Sequence, residues 1–306
     1  MRSLAAGALM ALALVAIRGV ARADEAKPTP PPEIPAHRIT YENTTGLRVN
    51  PIGVEEQYNL TYKARLYASD SLALRENYFG VGISPTLSPA VSRFGAHVEI
   101  RPLTMLSLSA GLYHVGYFGS FGALASFPSS ASDYSDTALA ANKDAGKNHP
   151  THGFEFVGRA LGLAKLGPVA FRSDTLVYYS DLVLPAGDQD YYYPRIDLLM
   201  PDAGIAITSD LDVAWLSDFG LVLGGRYSVL DAFIDDATDP GPEMRLGPIA
   251  AFTFFDTPGA SFNKPTVVAM AQWWLTHPYR TGEDVSQAIP YGAIAFRFEG
   301  ELWRAR

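Results

Sequence analysis

Along most of this chain, apolar and polar side chains change places every second residue. In "QYNLTYKARL", Gln57, Asn59, Thr61, Lys63 and Arg65 fall on one face and Tyr58, Leu60, Tyr62, Ala64 and Leu66 on the other. "RFGAHVEIR" does the same, with Arg93, His97, Glu99 and Arg101 opposite Phe94, Ala96, Val98 and Ile100. In "FRSDTLVYY", Arg172 and Asp174 oppose Phe171, Ser173 and Thr175. In "IAITSDLDVAW", Thr208, Asp210 and Asp212 oppose Ile205, Ile207, Leu211, Val213 and Trp215. The closing "IAFRFEGELW" sets Arg297, Glu299 and Glu301 against Ile294, Phe296, Phe298 and Leu302. A period of two is the signature of a strand whose faces meet different environments. Further strands are predicted at 77–87, 105–118, 152–164, 219–231, 245–256 and 265–278, with 152–164 blurred because Leu161 and Leu163 share the face of Glu155 and Arg159.

Eleven such segments are clear, and closed barrels of this kind carry even strand numbers. A further strand in "TYENTTGLRVNPI", 40–52, gives twelve; ten results if 77–101 is one long strand.

A secreted β-sandwich would alternate as well, so length and punctuation decide between the two. The segments run about 10–14 residues, longer than the ~5–6 of soluble strands and near the ~9–11 that cross a bilayer when tilted. Aromatic residues gather at segment ends: Tyr113, Tyr117 and Phe118, then Tyr178 and Tyr179, Trp273 and Trp274, and Trp303. Membrane interfaces favour that placement. Short connectors "RPLT", "KLGP" and "LSD" alternate with long ones at 119–150, 183–202, 232–243 and 280–289. These features predict an all-β, transmembrane, antiparallel up-and-down barrel.

The ends of the chain fit that expectation. Arg2 precedes an apolar run from Leu4 to Ile17, and Ala21-Arg22-Ala23 is a small-x-small cleavage pattern, so residues 1–23 read as a cleaved secretory signal. The run is too short for a membrane-spanning helix. Residues 24–44 read as a leader, with five prolines between Asp24 and Ala36 that favour extended geometry, and 45–306 as the barrel.

The whole chain carries 24 Lys and Arg against 32 Asp and Glu. Losing residues 1–23 removes three arginines and no acid, leaving 21 basic residues, which argues against nucleic acid as a partner. There is no cysteine, so disulfides and thiolate metal sites are excluded.

On this pattern the stretch from about 45 to 303 resembles the general class of Gram-negative outer-membrane β-barrel proteins. In that class the last strand ends in an aromatic residue recognised during assembly. Here Trp303 stands in that place, followed by Arg304, Ala305 and Arg306. The resemblance implies an outer-membrane location, contact with outer-membrane lipid and with the barrel-assembly machinery, and no particular substrate.

With the apolar faces turned to lipid, the charged faces line the lumen. Candidate lining residues are Lys63, Arg65, Arg93, Arg101, Arg159, Arg172, Arg226 and Arg297, with the acids Glu99, Glu155, Asp174, Asp210, Asp212, Glu299 and Glu301. Such charges must be paired or hydrated. Either they pair across the barrel and close it, or walls of opposite sign leave a narrow polar pore. The connector 119–150 bears on this choice, since it could fold inward, cover the mouth, or lie on the surface.

Catalytic and metal readings are weaker. A serine nucleophile needs a nearby histidine, yet only His114 with Ser120 and His152 with Ser173 come close in sequence. Asp210 and Asp212 could hold a water between them, with Asp231, Asp235, Asp236 and Asp239 nearby, but are ordinary lumenal or loop acids as well. His149 and His152 lack the further ligands zinc needs, and 231–243 lacks the spacing of a calcium loop. The expectation is a narrow channel for small polar solutes, without enzyme activity, metal or cofactor. The alternative is a closed structural or adhesive barrel acting through its outer loops, and less favoured is a membrane-lipid enzyme.

Overall fold

A computed structural model describes residues 34–118, 124–234, 241–281 and 289–305. The segment read as a signal and residues 24–33 of the leader therefore lie outside the described residues. In chain order the elements open with β1 (His37–Val49), β2 (Gly53–Ala64), β3 (Tyr78–Ile83), β4 (Thr86–Leu87), β5 (Val91–Leu103) and β6 (Leu106–Tyr117). A short β7 (Ser126–Phe127) and the helix α1 (Asp136–Asp144) follow, then β8 (Thr151–Leu166) and β9 (Val169–Leu182). The chain continues through β10 (Asp190–Tyr193), β11 (Leu198–Pro201), β12 (Gly204–Leu216), β13 (Leu221–Ala232), β14 (Glu243–Thr253), β15 (Asn263–Thr276) and β16 (Tyr291–Arg304).

Twelve antiparallel staves close on themselves, because β1 pairs with β2 on one side and with β16 on the other. The third stave is β3 and β4 together, broken at Ser84-Pro85 but held in place by Tyr58 N donating to Pro85 O (2.9 Å) and Ser84 N to Gly95 O (3.1 Å). The strand anticipated in 40–52 is β1, and it begins at His37, inside the stretch read as leader. Closure satisfies the backbone groups that would otherwise form a sheet edge, which is what a lipid surround demands.

The register separates two faces. One row of directly opposed residues runs across seven staves as Leu60, Ile83, Ala96, Leu112, Phe156, Tyr179 and Ile205. The next row reads Thr61, Gly82, His97, Gly111, Val157, Tyr178 and Ala206. The first row faces outward, and its large side chains Ile83, Leu112, Phe156, Tyr179 and Ile205 are exposed in the isolated chain. The second row faces inward, and Thr61, Val157, Tyr178 and Ala206 are buried. In water, an apolar belt of this extent would be costly, at roughly 25 cal/mol per Å². A bilayer removes that cost.

Alternation of strand direction puts both described ends of the barrel at one rim. The strand pairs β6–β8, β9–β12, β13–β14 and β15–β16, which the long connectors join, all meet at the opposite, far rim, as the sequence spacing predicts. Two of those connectors fold back into the far end of the barrel as a plug. Its core is a three-stranded sheet in the order β11-β10-β7, with α1 outside it. Ser135 caps α1, its hydroxyl accepting from Ala138 N at 3.2 Å. Tyr191 and Met200 are fully buried in the plug. They join Leu198 in packing against the inward-facing Tyr113, Val115, Tyr117, Tyr178, Leu182 and Leu230 of the wall.

This plug corrects the reading of the aromatic residues. Tyr113, Tyr117, Tyr178 and Trp274 face inward and are buried, whereas Tyr179, Trp273, Trp303 and Phe118 are exposed. Only the second group can form interfacial girdles. The tyrosines have an apolar partner inside the barrel and Trp274 packs against His277 and Arg245, neither of which a single-sequence alternation pattern reveals.

Candidate functional site: the lumen and its plug

Below the plug, the inner wall carries a ladder of ion pairs. Arg159 of β8 makes a two-point bond to Asp174 of β9, at 2.7 and 2.8 Å. Arg172 bonds Asp174 and reaches Asp212 of β12 at 3.0 Å. Asp212 also takes a two-point bond from Arg226 of β13, at 2.7 and 2.8 Å, and Arg226 meets Asp210 at 3.1 Å. Ser228 extends the chain by donating to Asp210 (2.6 Å), and Gln272 of β15 donates to Ser228 (2.9 Å). A two-residue repeat on neighbouring strands puts these groups level with one another. Six of the predicted lining residues thus meet in one network.

Across the lumen, Arg297 of β16 bonds Glu42 of β1 at 2.7 Å, and Lys264 bonds Glu299 at 2.9 Å. The remaining predicted residues are dispersed. Glu99 accepts from Tyr78 (2.7 Å) and Ser107 (2.5 Å), beside Lys63 and Arg101. Glu301 pairs with Arg304 (2.9 Å). Arg65 lies just past the end of β2, its backbone N bonded to Ala36 O. Arg93 and Glu155 pair at 2.5 Å, but beneath the plug, where Tyr193 also donates to Glu155. Signs therefore alternate along the walls instead of segregating.

Arg159 of β8 is 42% exposed and Arg297 of β16 46%, both in mid-strand on the inner face, whereas Lys264, 45% exposed, stands at the start of β15 by the near rim. Between the ladder and the Arg297 cluster, the inward positions mix the small Gly46, Gly247, Ala251, Ala293 and Ala295 with the larger Ile249, Val268 and Met270.

Sequence reasoning missed the plug's attachments. Arg195 makes a two-point pair with Glu55 of β2 (2.9 and 2.8 Å), while Arg48 of β1 donates to Arg195 O (2.6 Å) and to Pro194 O. Asp197 takes Arg280 at 2.5 and 3.0 Å and Tyr192 at 2.6 Å, with His277 Nε2 3.6 Å away. Arg280 continues to Asp136 (3.0 and 3.1 Å) and Asn50 (2.6 Å). Burial would raise the Asp197 carboxyl, but bonds and charge from His277 and Arg280 hold it down at about 2. Arg195 is raised well above the usual guanidinium value: burial lowers it, and the Glu55 charge overcomes that. The available signal was "YYYPRIDLLM", a dense apolar run inside a connector, where a solvated loop would be polar.

No catalytic constellation forms from the histidines singled out. His114 and His152 stack loosely at 6.0 Å on the outer face near Phe154. Ser173 sits opposite Gly162, ten residues along β8 from His152, and Ser120 lies outside the described residues. Asp235, Asp236 and Asp239 also lie outside them. Among the described residues no group of three or more His, Asp or Glu could hold a metal ion.

No family model matches the chain, and no curated relative is found. Solved structures similar to it include the translocator domain of the autotransporter NalP from Neisseria meningitidis, at 13% identity over 86% of each chain, TM-score 0.33. The KdgM porin is similar at 7% identity over 85% of this chain and 98% of its own, TM-score 0.34. LpxR from Salmonella typhimurium is similar at 8% identity over 85% and 99%, TM-score 0.36. Closure, strand number and an apolar outer face make this protein a transmembrane β-barrel of twelve strands.

Proposed function

We propose that this barrel sits in a Gram-negative outer membrane and is a narrow channel for small polar solutes, held shut at its extracellular mouth by the plug. The far rim is then extracellular and the rim bearing the chain ends periplasmic. The observation that carries the reading is the exposure of Arg159 and Arg297 at mid-strand on the inner face, which favours a water-filled section below the plug. A barrel with a purely structural role needs no such space and is better filled by its own side chains.

The plug's asymmetry favours a gate over a permanent stopper. It is held to the β6–β13 wall by apolar burial, worth about 1.5–3 kcal/mol for each large side chain. Toward β1 and β2, its contacts are ion pairs and hydrogen bonds of Arg195, Arg48 and Glu55. Polar contacts exchange for water at small net cost, so the ionic side can part while the apolar side stays fixed.

Conductance in a planar bilayer is the deciding measurement. Purified full-length chain should open intermittently, and deleting 186–200 should leave it continuously open. Silence in both proteins would sink the channel and leave the closed structural barrel.

A further inference from the structure

Three cations converge on one ring in the periplasmic half of the lumen. Nζ of Lys63 lies 4.6 Å from the centre of the Tyr78 ring, Cζ of Arg101 5.5 Å and Cζ of Arg38 6.0 Å. They come from β2 and β5, which flank β3, and from β1 beyond β2, and register brings them together: Arg38 opposes Lys63, and Tyr78 opposes Arg101. Like charges this close repel by about 1 kcal/mol or more even in partly hydrated surroundings. Something must offset that.

The acids at hand do so incompletely. Glu76 pairs with Arg38 at 3.1 Å. Glu99 spends Oε1 on two hydroxyl donors, Tyr78 and Ser107. Among the described residues, neither Lys63 nor Arg101 has a carboxylate within 4 Å. Nε of Arg101 is buried and has no hydrogen-bond partner at all. The face of Tyr78 gives a cation about 0.5–2 kcal/mol, less than a charged acceptor would. All three side chains are mostly but not fully buried, Arg38 being 16% exposed, and they stand toward the rim opposite the plug.

We propose that Lys63, Arg101 and Arg38 form a binding subsite for a small oxyanion, carboxylate or phosphate in chemistry, just inside the periplasmic mouth. Such an anion has several acceptor oxygens within one radius. One can take terminal N–H groups of the Arg101 guanidinium while another takes the ammonium of Lys63, with the guanidinium fork fixing its orientation. The subsite stays reachable when the plug is seated. Its part in passage rests on the channel reading; its existence as a binding site does not.

Inorganic phosphate is the probe, titrated calorimetrically into detergent-solubilised full-length chain at constant ionic strength, with chloride as the control anion. The expected result is saturable binding at one site per chain, weakened at least tenfold in Lys63→Gln and in Arg101→Gln. Arg101→Lys, which keeps the charge and loses the fork, should retain part of the affinity. Retarded gel mobility before heating reports that each variant is a folded barrel. If a variant fails to fold, competition of phosphate by sulfate and by acetate on the unaltered chain still decides, because a true oxyanion subsite is competed by both. Absence of saturable binding in the unaltered chain, or equal affinity in folded variants, overturns the proposal. Binding without bilayer conductance would keep the subsite and remove the channel, and conductance without phosphate binding would do the reverse.

Discussion

Arg195 and Glu55, 140 residues apart in sequence, form a two-point ion pair at 2.9 and 2.8 Å that ties the plug to β2. The pair is only partly shielded from water, with side chains 22% and 34% exposed. Its worth is therefore nearer that of a surface pair than a buried one, about 1 kcal/mol, and its loss should shift a gate without unfolding a barrel.

Glu55→Gln should raise the fraction of time the channel is open by about fivefold, the equivalent of ~1 kcal/mol. Single-channel recording measures this directly, and Arg195→Met should do the same. Adding both changes together should give little more than either alone, since each removes the same contact.

The second fastening is acid-sensitive. Asp197 ordinarily titrates near 3.8 and is held at about 2 when the plug is seated. A depressed carboxyl contributes stability that is fully present above its unfolded value and lost as pH falls through its folded value. The shift corresponds to about 2 kcal/mol. Pepsin cleavage within 183–203 should therefore be slow and constant down to about pH 4 and accelerate between pH 4 and 2. With each rate divided by pepsin's rate on an unfolded peptide at the same pH, Asp197→Asn should abolish that acid limb and give one raised ratio across the range.

Lipid-facing and lumen-facing positions should differ sharply in tolerance of charge. Leu112 is 57% exposed on the outer face in mid-strand, and Leu112→Arg should cost ~2–4 kcal/mol in a bilayer. Ala295→Lys places its charge inward, opposite Gly46, and should cost under about 1 kcal/mol. Urea titration of the protein folded into vesicles compares the two, and equal costs would mean the strand phasing is wrong.

Asp212 neutralises two arginines, Arg172 and Arg226. Asp212→Asn leaves both without their shared carboxylate, so reversal potential in a salt gradient should move toward anion selectivity. Asp210→Asn should move it less, because Asp210 meets only one arginine.

The staves were legible because lipid enforces alternation on one face and charge on the other. Leu60, Phe94, Phe171 and Ile205 stand where a period of two puts them, and so do Arg172, Asp174, Asp210 and Asp212. The candidate site was half legible for the same reason. Pairing of those charges depends on register between strands, and register between β9 and β12 crosses the 183–203 connector, which no local pattern spans. The plug was illegible because its residues obey no period. Tyr191, Leu198 and Met200 are buried against a wall contributed by β6, β9, β12 and β13, and nothing near them in sequence announces that wall. The same absence misassigned Tyr113, Tyr117 and Tyr178, whose aromatic character suits an interface and a core alike.

The seam between β1 and β16 has a consequence for how the molecule is made. The apolar seat of the plug lies on the middle of the chain, whereas its ionic fastenings reach β1, β2 and the residues following β15, near the two ends of the chain. Those ends stand side by side only after β16 has zipped onto β1. A half-built barrel can therefore hold the plug by its apolar side alone, with Arg195, Asp197 and their partners unmatched. Seating of the plug should therefore track circumferential completion, and a barrel arrested before β16 meets β1 should carry a loosely held plug.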